Sequence, residues 1–149
     1  MQWSTEKNGG FSSANAGKLC QPVITEGPFS FERVNVADQQ KDADSLLNRV
    51  KRFIRMRRMQ PIFTKGRPVR LSAGDPAVLV HGFEDAGDLL LLVHNLSGRK
   101  IETEIDFGGM QPKRFRDLLN EVEHDIAKKP RLVLEPYAYR WLISEGNGS

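Results

Sequence analysis

Leu89-Leu90-Leu91-Leu92-Val93 is the longest purely apolar run in the chain, and it narrows the possible folds more than any other feature. Five residues cannot span a bilayer, whose hydrocarbon core needs about 20 helical residues. The run does not alternate, so as part of a strand it puts apolar side chains on both faces, and both must be covered. Its surroundings read as strands. Ala77–Phe83 is expected to be one, Glu84-Asp85-Ala86-Gly87 a hairpin turn, and Asp88–Asn95 the returning strand. Leu96-Ser97-Gly98-Arg99 turns the chain again. Residues 100–107 then alternate, with Ile101, Thr103, Ile105 and Phe107 inward and Glu102, Glu104 and Asp106 outward. Arg114–Leu119 and Arg131–Ile143 supply two more strands, the last carrying Tyr137, Tyr139 and Trp141 on one face. The expected fold class is mainly β, an antiparallel β-sandwich over residues 61–144 with a short tail at 145–149. A chain of 149 residues needs only one such core.

A helix is expected before the sandwich, over about residues 44–58. Asp42, Asp44 and Ser45 offer capping side chains, and Leu46, Leu47, Val50, Phe53 and Ile54 recur at helical spacing. Pro61 stops it. At 100° per residue Arg57 falls about 20° from Leu46, inside the apolar stripe, whereas Arg52, Arg55 and Arg58 do not. Arg57 is therefore expected to be a structural arginine, held by a carboxylate or by strand carbonyls. Residues 1–41 show neither period. Gly, Ser, Asn and isolated aromatics dominate there, and so long an unpatterned stretch suggests a segment shaped by something outside this chain.

Chemistry is sparse. His81, His94 and His124 fall on two strands and in a loop without metal-ligand spacing, and neither metal nor cofactor is expected. Cys20, the single cysteine, has no neighbouring base and reads as a small buried apolar group; without disulfides a reducing, cytoplasmic setting fits. No basic leader followed by an apolar stretch opens the chain, and no partnership with a membrane is expected. Asn95-Leu96-Ser97 and Asn147-Gly148-Ser149 match a glycosylation sequon by chance. Glu102, Glu104 and Asp106 form a solvated face rather than the opposed carboxyl pair of a glycosidase. Net charge is +3 and the pI near 9.2. The run Arg49, Lys51, Arg52, Arg55, Arg57, Arg58 lacks interleaved aromatics, so a solvated helix face is favoured over nucleic-acid binding.

Several short motifs carry a family resemblance. Met1-Gln2-Trp3-Ser4 with Asn8-Gly9-Gly10-Phe11-Ser12 resembles the loop after the last barrel strand of glycoside hydrolase family 13, the α-amylase superfamily. Pro22-Val23-Ile24, Val34-Asn35-Val36 with Gln39, and Ser45-Leu46-Leu47-Asn48 follow in the same order. They are most similar to the trehalose synthase (maltose α-D-glucosyltransferase) branch. Val93-His94-Asn95-Leu96-Ser97 and Leu134-Glu135-Pro136-Tyr137-Ala138-Tyr139-Arg140-Trp141 resemble strands of that family's carboxyl-terminal β-sandwich. Two stretches depart from the branch. Cys20 replaces an aromatic, and Glu26-Gly27-Pro28-Phe29 replaces an Asp-Pro-x-Tyr-Gly stretch; an oligo-glucosidase of the same family is the alternative.

The resemblance implies a non-catalytic carboxyl-terminal fragment of an enzyme of carbohydrate metabolism. Residues 1–60 would be the end of a (β/α)8 barrel and 61–144 the sandwich bracing it. The family's catalytic carboxylates come from earlier barrel strands, so no catalytic residue maps onto this chain. Gln2, Trp3, Asn8 and Phe11 are expected at the rim of the parent's substrate cleft. The expected partners are that missing barrel and, through it, α-glucan or maltose, with self-association through exposed apolar surface open. A second hypothesis is a glycan-binding module, with Trp3, Phe11 or the Tyr137/Tyr139/Trp141 face stacking on sugars.

Overall fold

A computed structural model describes residues 2–110, 114–120, 123–124 and 131–144, the last two-residue strand without its side chains. The tail at 145–149 and the sequon at Asn147 lie outside the described residues. The chain divides into two compact units, Met1–Arg55 and Met56–Ser149.

The first unit is not structureless. It contains 3-10 turns at Lys7–Gly10 and Ala16–Lys18, helix α1 (Val36–Lys41), and the start of helix α2 (Leu46–Met59). Side-chain amides do the work that a regular ladder does elsewhere. Asn35, fully buried, caps α1 by accepting from the Asp38 N–H at 2.9 Å while its Nδ2 donates to the Phe31 carbonyl at 3.0 Å. Asn48 Nδ2 reaches the carbonyls of Gln39 and Asp42 at 2.9 and 2.7 Å. Helix α2 starts two residues later than the sequence suggests. Ser45, not Asp42 or Asp44, caps it, its Oγ accepting from the Asn48 N–H at 3.2 Å, and Gln39 Oε1 accepts from the Leu47 N–H at 3.0 Å. Asp42 instead closes α1. The helix ends at Met59, just before Pro61, as expected.

Among the described residues the second unit holds a short helix α3 (Ile62–Lys65) and nine strands. These are β1 (Arg67–Val69), β2 (Ser72–Ala73), β3 (Val78–Asp85), β4 (Asp88–Asn95), β5 (Ile101–Asp106), β6 (Phe115–Asp117), β7 (Glu123–His124), β8 (Arg131–Leu134) and β9 (Tyr139–Ser144). A six-stranded sheet runs β1-β3-β4-β9-β6-β7 and a three-stranded sheet β2-β5-β8, all pairs antiparallel. Side chains from both sheets share one core. Val78, Val80, Leu89, Leu91, Val93 and Leu142 meet Ile101, Ile105, Leu132 and Leu134. The sandwich is present, and β5 alternates as read, buried at Ile101, Thr103 and Ile105 and exposed between.

β4 is buried on both faces. Leu90 and Leu92 turn away from the main core into a second cluster with Ile62, Phe63 and Leu118, against which Met56, Phe83, Trp141 and Ile143 pack. Gly82 sits opposite Leu91 because nothing larger fits: a Cβ there would lie 2.6 Å from the Leu90 carbonyl oxygen and 2.8 Å from Leu71 Cδ1.

Three sequence expectations change. The hairpin turn is Ala86-Gly87 alone, since β3 runs to Asp85 and β4 starts at Asp88. Residues 131–143 are two strands in different sheets, broken where Tyr137 takes a left-handed conformation, φ 55°. His124 lies on a short strand, not in a loop. The turn supplies a test. Ala86 and Gly87 both have positive φ, 51° and 90°, as a two-residue hairpin of primed type requires. Ala86→Asn should therefore raise the unfolding free energy by about 0.5–1 kcal/mol in a denaturant titration. A loss of stability would contradict this turn geometry.

Candidate functional site

The motif at the start of the chain is a backbone device. Asn8, Gly9 and Gly10 all have positive φ, 57°, 65° and 76°. Asn8 tolerates that conformation and satisfies two carbonyls, its Nδ2 donating to Ser12 and Ala14 at 2.8 Å each. A Cβ on Gly9 would crowd Gln2 and Phe31 at 3.2–3.3 Å. The turn returns the chain to its start, where the Trp3 N–H donates to the Gly9 carbonyl at 2.8 Å. Gln2 pairs with Asn35 in a parallel bridge, and its Nε2 donates to the Phe29 carbonyl at 3.3 Å.

The four expected rim residues are thus close in sequence and in hydrogen bonding, but they face differently. Gln2 and Asn8 are buried and their amide nitrogens are engaged with backbone. Trp3 and Phe11 are exposed, 57% and 54%. The wider pattern matters more. Among the described residues of the first unit, the side chains buried are Gln2, Asn8, Ser30, Asn35 and Ser45, all polar. Large apolar side chains lie outside: Ile24, Phe29, Leu46, Val50 and Ile54 besides Trp3 and Phe11. Cys20 is exposed too, not buried as its apolar character suggested. The apolar stripe of α2 predicted from spacing exists, yet Leu46, Val50 and Ile54 point to solvent. Among its described residues no large apolar side chain is buried, though Phe31, Val34, Val36, Leu47 and Phe53 are half-buried.

Among the described residues Arg57 meets neither the carboxylate nor the strand carbonyls expected of it. Its guanidinium lies 5.4 Å from the centre of the Phe63 ring, an exposed cation–π contact of about 0.5–1 kcal/mol. The ring that holds it belongs to α3, which no periodic signal marks. The proposed glycan-stacking face on the last strand is absent as a face. Trp141 packs on Phe63 at 5.2 Å, Tyr139 is half-buried, and Tyr137 stands exposed on the turn before β9.

An open polar groove of about 460 Å³ on the sandwich is lined by Gly74, Asp75, Glu102, Thr103, Glu104 and Arg131. Its charges satisfy one another. Arg131 Nε donates to Glu104 at 2.8 Å, and Arg99 Nη2 grips both oxygens of Asp75 at 3.0 and 2.8 Å. The Ala77 N–H, followed by Arg99, holds the Asp75 carboxyl below the usual range. Asn95 of the sequon is buried, its Nδ2 donating to the carbonyls of Arg99 and Glu135 at 2.7 and 2.9 Å, so it is closed to glycosylation. Among the described residues no group of three or more His, Cys, Asp or Glu could hold a metal ion, and no helix is long and apolar enough to cross a membrane.

His81 and His94 stack across β3 and β4, ring centres 5.8 Å apart and planes 4° from parallel. Burial lowers both pKa values, and for His94 the charge of His81 adds to it. A lowered histidine pKa means the unfolded chain takes up protons first. The pair's contribution is therefore complete above the ordinary value of 6.5 and declines as pH falls below it. Asp75 acts in the same direction but only near and below 3.8. The melting temperature should fall between pH 7 and 5, and His81→Asn/His94→Asn should flatten that slope; an unchanged slope would show that other groups set it.

Comparison with known proteins gives one consistent direction. Residues 87–143 match the family of sucrose hydrolase-like C-terminal domains. Trehalose synthase/amylase of Mycobacterium tuberculosis is 36% identical over 140 residues, which is 92% of this chain and 22% of that protein. Trehalose synthase of Pimelobacter sp. is 37% identical over 110 residues, 71% of this chain and 19% of that protein. A probable oligo-1,6-glucosidase of Bacillus subtilis is 34% identical over 97 residues, 65% of this chain and 16% of that protein. The chain thus spans about a fifth of the length of these relatives. In structure it follows trehalose-6-phosphate hydrolase of Bacillus licheniformis with TM-score 0.71 at 21% identity, over 97% of this chain and 25% of that one. Isomaltulose synthase of Erwinia rhapontici gives TM-score 0.70 at 21% identity, over 97% and 24%. At that identity the two structures speak to fold alone.

Proposed function

The chain stands in sequence with the carboxyl-terminal parts of glycoside hydrolase family 13 enzymes, in their trehalose synthase branch, and from that premise we propose that it braces the catalytic barrel of such an enzyme. It is the non-catalytic end of a parent that interconverts maltose and trehalose in the cytoplasm. Residues 1–60 complete the barrel in this reading, 61–144 form the supporting sandwich, and 145–149 trail from it. Trp3 and Phe11 stand at the rim of the parent's cleft, with Gln2 and Asn8 setting the loop that presents them. An exposed thiol at Cys20 suits a reducing compartment.

One observation carries the reading: the side chains buried among the described residues of the first unit are polar, while Trp3, Phe11, Ile24, Phe29, Leu46, Val50 and Ile54 stand exposed. A free-standing unit gains its stability from the opposite arrangement. Apolar surface held outward by a fixed hydrogen-bonded frame is surface prepared for a cover. The longer relatives have the remaining four-fifths of their length to provide one. The alternative of a glycan-binding module loses the Tyr137/Tyr139/Trp141 platform, because Trp141 is packed against Phe63, and keeps only the exposed Trp3 and Phe11. The oligo-glucosidase alternative keeps the same bracing role with a different parent activity.

A chimaera tests the proposal. The matching 140 residues of the Mycobacterium tuberculosis enzyme are replaced by this chain. The product should be soluble and should interconvert maltose and trehalose, while the isolated chain turns over neither sugar. An insoluble or inactive chimaera beside an active parent enzyme would contradict the bracing role.

A further inference from the structure

His81 and His94 are distant in sequence and diagonal neighbours in space. The register of β3 on β4 sets His81 opposite Leu92 and Leu79 opposite His94, and eight cross-strand pairs hold that diagonal in place. Both rings stand on the side of the sheet away from the main core, the side that Leu90 and Leu92 share. His81 is exposed and His94 half-buried. Each ring meets the other at 5.8 Å between centres. Among the described residues their ring nitrogens make no hydrogen bond and no ion pair. A histidine with a purely structural part in a fold usually gives one nitrogen to a fixed acceptor, which also sets its tautomer. Here two neighbouring imidazoles keep their nitrogens uncommitted, and imidazole nitrogen is the donor that zinc takes.

We propose that His81 and His94 form a cross-strand site for a divalent transition metal, Zn2+, bound by one nitrogen of each ring with solvent in the remaining positions. Two imidazoles on a tetrahedral Zn2+, with bonds of about 2.0–2.1 Å, have ring centres about 5.2 Å apart. The observed 5.8 Å is wider by only about 0.6 Å. As they stand, the rings are parallel within 4° and aim at no common point. A turn about the Cβ–Cγ bond of each makes them converge, and that torsion is broad in histidine. The strands need not move. The positions beside them on this face, Leu79, Leu92 and Tyr139, carry no carboxylate, so calcium and magnesium, which need several oxygen ligands, fit poorly. With two protein ligands instead of four, the site is an exchangeable one rather than a structural zinc centre. When loaded it clamps β3 to β4. The proposal stands apart from the bracing role.

The test titrates Zn2+ into the intact chain carrying Cys20→Ser, which removes the exposed thiol as a competing donor. Calorimetry follows binding, and nitrogen-15 NMR follows the imidazoles. One Zn2+ per chain should bind, with saturation below about 1 mM. One ring nitrogen of His81 and one of His94 should shift together, while those of His124 stay where they are. His81→Asn and His94→Asn should each weaken binding roughly tenfold or more, because a lone imidazole loses the gain from a second ligand held beside it. His124→Asn should leave binding unchanged. Saturating Zn2+ should raise the melting temperature of the Cys20→Ser chain but not of the same chain with His81→Asn. Amide spectra unchanged outside β3 and β4 control for folding, and His81, being exposed, gives the safer variant. Failure to saturate by about 1 mM overturns the proposal. Binding that survives His81→Asn, or that is lost with His124→Asn, overturns it as well. A ratio of one Zn2+ to two chains overturns it in favour of a bridge between copies.

Discussion

Everything in the second unit follows from a strand that cannot leave either face bare. β4 carries Leu89, Leu91 and Val93 to one side and Leu90 and Leu92 to the other, and all five are nearly or fully inaccessible. Each buried leucine is worth about 1.5–3 kcal/mol relative to exposure. No arrangement that solvates one side of β4 competes with one that covers both. The three-stranded sheet covers the first side through Ile101, Ile105, Leu132 and Leu134. The second side is covered by α3, where Phe63 contacts Phe83 and Trp141 at 5.8 and 5.2 Å. Polar residues close the end of the strand. Asn95 ties the Arg99 and Glu135 carbonyls together, and Ser97 donates back to Asn95 Oδ1 at 2.8 Å, which holds the corner where the chain passes from β8 to β9.

The first unit solves the opposite problem. Its backbone follows no ladder for most of its length, so each carbonyl and N–H needs an individual partner. Buried Asn8 and Asn35, with Gln2, Gln39 and Asn48, supply those partners, which fixes the path without consuming apolar side chains. The side chains left over are held outward. Order from hydrogen bonds and exposure of hydrophobes are two aspects of one design: a frame whose shape is set internally and whose burial is completed elsewhere.

This contrast explains what was legible in the sequence. Period two survives wherever a strand has one wet face, so β5 could be read residue by residue, and the unbroken run of β4 announced its two covers. The sheet change at residues 135–138 did leave a signal, because the period-two pattern slips by one position from Leu132 and Leu134 to Tyr139 and Trp141, beside Pro136. The left-handed backbone at Tyr137 is where the slip occurs. β1 and β2, three and two residues long, are too short to show a period. α1 is six residues with no apolar stripe, recognisable chiefly by the Asn35 cap followed by Asp38. For the candidate site, the helical wheel singled out Arg57, and the ring it meets, Phe63, comes from a one-turn helix that pattern reading passes over. Spacing likewise found the stripe on α2 and could not say which way it faced.

Amide hydrogen exchange, measured on the isolated chain and again on the chain joined to a family barrel, tests the central claim most directly. Exchange reports local opening, and a surface that gains a cover opens less often. Amides of Leu46–Arg55 should slow by roughly tenfold or more on joining, while those of Leu89–Val93, already enclosed on both sides, should keep their rates. Unchanged rates in Leu46–Arg55, in a joined protein that is folded and active, would contradict the claim that the first unit's outward apolar surface is built to be covered by the barrel.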